Sequence, residues 1–140
     1  MLRINIILLL AIITMPFSFA QDCRKVDIKY TNKAKTVKEK LFACFVKDKR
    51  NPYLVSKDCL DDKCSYLQHP ERNPINLRDT MSEFGSPGFK ICHKLGGQPQ
   101  IFEYEDKERG WLNADRCIFK EGTFVQTNRL ETIWRHFILR

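Results

Sequence analysis

Three histidines, His69, His93 and His136, are the side chains of this chain best suited to proton transfer near neutral pH. Two of them set as general acid and general base, with Lys94 stabilising a developing phosphorane charge, would give ribonuclease-like hydrolysis. That chemistry requires the rings to converge. His93 follows Cys92 on an expected helix, His136 falls on the exposed side of another, and His69 sits in a loop. The plainer reading is three unrelated surface or cap histidines. Cys59, Cys64 and His69 lack the Cys-x-x-Cys spacing of a zinc knuckle, and Asp58, Asp61 and Asp62 lack the EF-hand order of oxygens and glycine. No Gly-x-Ser-x-Gly is present, and Gly96-Gly97 reads as a helix stop and not as a phosphate loop. Trp111, Trp134 and Phe102 could stack on sugars or bases, but their spacings are those of core residues. No catalytic residue, metal ligand or cofactor site is therefore expected.

The six cysteines all follow residue 20. Before them comes Arg3, then an apolar stretch from Ile4 to Met15 interrupted by Asn5 and Thr14, then Pro16 and Ser18-Phe19-Ala20. This order is that of an export signal, residues 1–20, cut after Ala20. The apolar run is shorter than the roughly 20 residues that span a bilayer. No cysteine stands at position 21 to carry a lipid, and no later segment is apolar enough to cross a membrane. The expected location is periplasmic or secreted, where an even set of thiols oxidises to disulfides and leaves no reactive cysteine.

Charge is concentrated near the start of the exported chain. Residues 24–50 hold ten Lys and Arg against Asp27, Glu39 and Asp48, a local charge of +7. Such a segment is commonly a solvated face. It also suits an anionic partner, and Lys33, Lys35, Lys38 and Lys40 are the candidate anion-binding residues. The partner classes this admits are an anionic envelope component or another exported protein.

These residues need elements to hold them. Val26, Ile28 and Tyr30 alternate with charged neighbours, as in a half-buried strand. Ala34, Val37, Leu41, Cys44 and Phe45 recur at three and four, which predicts a helix capped by Thr31 or Asn32; the unbroken run Leu41 to Val46 also fits a buried strand. Residues 51–80 are turn-rich and pinned by Cys59 and Cys64. Ser86-Pro87 opens a helix that Gly96-Gly97 closes. Strands are expected around Ile101–Tyr104, Trp111–Phe119 and Thr123–Val125. A last helix, capped by Thr127 or Asn128, carries Leu130, Ile133, Trp134, Phe137 and Ile138 on one stripe.

The C-terminal half resembles a bacterial family. Ser86-Pro87-Gly88, Cys92 and Leu95-Gly96-Gly97 match an Asn-Pro-Ala…Cys…Gly-Gly pattern, and Cys117-Ile118-Phe119-Lys120-Glu121-Gly122-Thr123 is similar to Cys-x-x-x-Asp-Gly-Ser. The family is domain of unknown function 333, often labelled haemolysin, and the resemblance covers about residues 84–135. It implies export and a compact β-containing fold, and no catalytic residue. The family often has two further cysteines; here Val125 stands where the first would be. If the two absent cysteines were one bridge, the resemblance implies that Cys92 and Cys117 form the other. Cys59–Cys64 and Cys23–Cys44 are then the remaining expected pairs.

The organisation expected is a signal, residues 1–20; a basic region, 21–83; and a Cys-Gly-Gly domain, 84–140. The expected fold class is α+β, a small antiparallel sheet with two or three packed helices, stapled by disulfides. The expected function is that of an exported, disulfide-bonded, non-enzymatic binding or envelope-associated protein. The alternatives are a small secreted hydrolase using His93 or His136, and a peptidase inhibitor.

Overall fold

The structure is a computed structural model that describes residues 21–76, 78 and 86–139. The expected export signal and the boundary near residue 84 lie outside the described residues. β1 (Gln21–Asn32) and β2 (Lys35–Val46) form a hairpin paired along its whole length, from Gln21↔Val46 to Asn32↔Lys35. The turn between them is Lys33-Ala34, with φ of 46° and 64°. Two left-handed residues make the type I′ turn whose twist suits a hairpin.

β2 replaces the helix expected over residues 34–45. Val37, Leu41 and Phe45 are spaced by four, and four is a multiple of the strand period as well as close to the helix period. With Ala43 they line one face of a strand, and β-branched Thr36 and Val37 favour that state. Within the apolar run Leu41 to Val46, Ala43 and Cys44 are buried on opposite faces of β2, while Phe42 stays 45% exposed.

β3 (Tyr53–Val55), β5 (Gln98–Asp106), β6 (Gly110–Ile118) and β7 (Phe124–Val125) complete a closed barrel in the order β1-β2-β3-β7-β6-β5. Every pairing in it is antiparallel, and Ile28↔Tyr104 with Lys29↔Glu103 closes the ring. The α+β expectation is thus corrected: the fold is a six-stranded antiparallel β-barrel, with the short helices Pro87–Lys94 and Thr127–Trp134 outside its wall. Turning the expected helix into a long strand supplies enough sheet to close on itself, which removes exposed edges. The barrel draws strands from both sides of residue 84. β4 (Ile75–Asn76) pairs in parallel with β8 (Ile138–Leu139) in a separate small sheet.

Helices α1 (Pro87–Lys94) and α2 (Thr127–Trp134) pack on the outer wall. α1 ends in a Schellman motif: the Gly97 N–H donates to the Cys92 carbonyl at 2.9 Å and the Gly96 N–H to that of His93 at 3.0 Å. Gly96 takes φ +77° there. Gly97 must be small, because a Cβ would lie 2.3 Å from Cys117 Sγ and 3.0 Å from Cys92 Sγ. α2 is shorter than the stripe suggested. It stops at Trp134, whose indole N–H donates to the Asn73 carbonyl at 3.0 Å, and Arg135–Phe137 tighten into a 3-10 turn that leads the chain to β4.

Two cores result. Val26, Ile28, Ala43, Leu54, Phe102, Tyr104 and Phe124 fill the barrel. Outside the wall, Val55, Ile91, Val125, Leu130 and Trp134 pack with the cysteines. The disulfides are Cys23–Cys44, Cys59–Cys64 and Cys92–Cys117, and no cysteine is free. Three bridges fit an extracellular or periplasmic location. Among the described residues no helix is long and apolar enough to cross a membrane.

Candidate functional site

The four candidate lysines lie on the β1–β2 hairpin, but not on one face. Lys38 and Lys40 share the outward face of β2, Lys33 is in the turn, and Lys35 alternates to the other side. Lys40 Nζ is 2.9 Å from Asp27 Oδ1, and Lys29 pairs with Glu103 at 2.5 Å while lying 4.4 Å over the Trp111 ring. A groove of about 350 Å³ runs beside Lys29, between Tyr30, Thr36 and Ile101.

The histidines sit on separate elements. His69 precedes a 3-10 turn and contacts Glu71 at 3.0 Å, His93 is on α1, and His136 follows α2; all three are exposed, and none lines either cleft described here. The three aspartates of the acidic turn bind protein groups. Asp58 accepts the Thr123 hydroxyl, which holds its carboxyl below the usual range. Asp61 accepts from Gln21 Nε2 at 3.1 Å, and Asp62 is clasped by the Arg129 guanidinium. Among the described residues no cluster of three or more His, Cys, Asp or Glu is arranged to hold a metal ion. Trp134 and Phe102 are buried in different cores, so they form no platform with the half-exposed Trp111.

The geometry singles out another place. One mouth of the barrel opens into a cleft of about 780 Å³. Its floor is barrel interior: Phe45, Leu54, Tyr104 and Ala114. Arg24 forms one wall, with its guanidinium 4.1 Å from the centre of the Phe45 ring and paired to Asp22. Phe45 tilts against Tyr104 at 5.6 Å between centres. The β5–β6 turn contributes Asp106 to Arg109 to the rim. Asp106 Oδ1 accepts the backbone N–H groups of Arg109 and Glu108 at 3.0 and 3.1 Å, and these bonds lower its pKa. A second cation is enclosed deeper in the barrel. Arg116 is only 5% exposed, donates through Nε to Gln100 Oε1 at 2.9 Å, and lies 3.5 Å from Glu39. Its guanidinium is 5.1 and 5.4 Å from the Phe102 and Phe124 rings. Burial lowers its pKa against the opposing pull of Glu39, and an arginine remains charged under these conditions.

Sequence reasoning passed over Arg24, Glu39 and Arg116, though each carries a signal. Arg24 is in phase with Val26, Ile28 and Tyr30; Glu39 with Val37 and Leu41; Arg116 with Leu112, Ala114 and Ile118. A charge on the apolar phase of a strand points inward, and that phase could have been read once the strands were assigned. Tested against known protein families, curated proteins and solved structures, the chain matches none of them.

Proposed function

We propose that this is an exported, non-enzymatic binding protein that docks on an anionic, phosphate-bearing envelope surface through the β1–β2 hairpin. One observation carries the reading: Lys25, Lys33, Lys35 and Lys38 stand exposed on two paired strands and their turn, so their charges project from a rigid arm. Lys40 contributes less than the sequence suggested, because Asp27 offsets it. The kinship of residues 84–135 with domain of unknown function 333 belongs to the same proposal. It is supported by the part its motif plays here, since Gly97 lies against both sulfurs of Cys92–Cys117.

The alternatives have less behind them. A histidine hydrolase needs at least two of His69, His93 and His136 to share a cleft, and none of them lines either cleft described above. An inhibitor loop enters a peptidase in extended form, whereas Asp61 and Asp62 within the Cys59–Cys64 loop have φ of 54° and 57°.

The test is sedimentation with vesicles containing phosphatidylglycerol, against phosphatidylcholine alone, and with lipopolysaccharide. Changing Lys33, Lys35 and Lys38 together to Gln should remove most of the binding without unfolding. Binding should also fade by about 0.5 M salt, where the Debye length is a few ångströms. Equal binding by both versions would return the hairpin to a solvated face.

A further inference from the structure

The barrel-mouth cleft is separate from the hairpin lysines and does not depend on their role. We propose that it binds a small amphiphilic anion: one carboxylate or phosphate group on a compact apolar body. The cleft's volume of about 780 Å³ is that of a small-molecule site. Its floor of Phe45, Leu54, Tyr104 and Ala114 supplies apolar contact. Below that floor Val26, Ile28, Phe102 and Phe124 close the interior, each at most 5% exposed. A long acyl chain has nowhere to thread, so the body must be short.

The sign of the charge follows from how the polar groups are held. Arg24 is the charged group carried over the apolar floor. Stacking on Phe45 removes water from one face of its guanidinium and fixes the planar fork. Its partner Asp22 is 54% exposed on the same strand and can turn into solvent, leaving the fork to an incoming anion. The other part of the rim carries two acids: Glu108 is exposed and flanked by the cations Lys107 and Arg109, and Asp106 is already engaged. Asp106 is bound to two backbone N–H groups of its own turn and to Arg109 at 3.5 Å. The resulting site offers a planar, positively charged, partly desolvated donor above aromatic and aliphatic carbon. That combination recognises a carboxylate or phosphate monoester and rejects an ammonium ion.

The experiment is a two-dimensional amide NMR titration of the disulfide-bonded protein with octanoate and, separately, octyl phosphate; the two arms distinguish the sources of the anion. Octanol and octylammonium are the neutral and cationic controls. At least one anion should give saturable shifts at Arg24, Phe45, Leu54, Tyr104 and Ala114. Arg24→Gln should weaken it about tenfold or more, corresponding to the loss of a charge-assisted pair. Arg24→Lys, which keeps the charge but not the fork, should fall between. Changing Lys33, Lys35 and Lys38 to Gln should leave the affinity within about twofold, since a distant exposed charge is screened. The proposal fails if neither anion gives saturable shifts by about 10 mM, a ceiling of very weak affinity. It also fails if Arg24→Gln binds as the wild type does, or if octylammonium binds as tightly as the anions.

Discussion

The layer outside the barrel wall holds all six cysteines, four of them fully buried, while the barrel interior holds none and encloses Arg116 instead. The two cores also differ in what builds them. The interior is lined by strands that each pair on both sides, so the ring of backbone hydrogen bonds holds it in register. The outer layer is made of two eight-residue helices and several 3-10 turns. Helices shorter than about 12 residues are marginal alone, and a 3-10 turn contributes little regular bonding. Two of the three bridges, Cys59–Cys64 and Cys92–Cys117, therefore sit where local structure is weakest, whereas Cys23–Cys44 ties two directly paired residues of the β1–β2 hairpin. The better-tied core is the one that tolerates a buried charge and an open mouth.

The largest expected break in this comparison is removal of Cys92–Cys117, which joins α1 to β6. Its sequence separation of 25 residues corresponds to about 3.5 kcal/mol in the chain-entropy model. Replacing both cysteines by Ala should cost roughly that in urea denaturation, and hydrogen exchange should rise first in α1 and α2 while β1, β2, β5 and β6 stay protected. Equal loss of protection in barrel and helices would mean that the two cores are one cooperative unit. Gly97→Ala sharpens the same point. In the bridged protein the added methyl meets sulfur and should cost about 1–3 kcal/mol. In the bridge-free background most of that cost should disappear, a coupling that a double-mutant cycle reads directly.

A smaller effect is expected inside the barrel. Arg116→Ala leaves a void among Phe102, Phe124 and Gln100 and should cost about 2 kcal/mol or somewhat more. Arg116→Met fills most of that space without a charge to desolvate. It should fall within about 1 kcal/mol of the wild type, in either direction, because the partner Glu39 keeps 43% of its side-chain exposure and can return to water. A loss on Arg116→Met as large as that on Arg116→Ala would show that the ion pair, and not the filling of space, holds this end of the barrel.

The outer layer was the more legible of the two in sequence. Ser86-Pro87 and Gly96-Gly97 are local signals, and they mark α1 without reference to the rest of the chain; α2 starts one residue earlier than a cap at Thr127 or Asn128 implies, with Gln126 at the N-cap and Thr127 bonded to Asp115. The even cysteine count and the leader-like start made stapling legible as well. The barrel was hidden because closure is a non-local property. Nothing in Val26 to Tyr30 says that β1 meets β5 through Ile28↔Tyr104. The hairpin turn was masked too, since Lys33-Ala34 lacks the Asn-Gly or Asp-Gly that usually marks a type I′ turn. With that turn unseen, the four-residue spacing in β2 read as a helix, and the cleft that depends on Phe45 facing Arg24 could not be drawn.

The smallest expected effect links the two cores through Asp58, at the edge of the outer layer, and Thr123, beside β7 of the barrel. The Thr123 hydroxyl donates to the Asp58 carboxylate, and this bond is the main reason its pKa is depressed. An unfolded aspartate titrates near about 3.9. A folded pKa below that means the contribution is complete above the unfolded value and is lost as pH falls through the folded one. Asp58 is exposed, so solvent screens the bond and its worth should be about 0.5 kcal/mol at most. Asp58→Asn should therefore lower the urea midpoint slightly at neutral pH. The gap between variant and wild type should begin to narrow below about pH 4 and close as pH falls through the folded pKa, where the protonated wild-type carboxyl is as neutral as the amide. A gap that stays constant well below about pH 4, past the depressed pKa of the folded protein, would place the effect of Asp58 in packing at the junction and not in its charge.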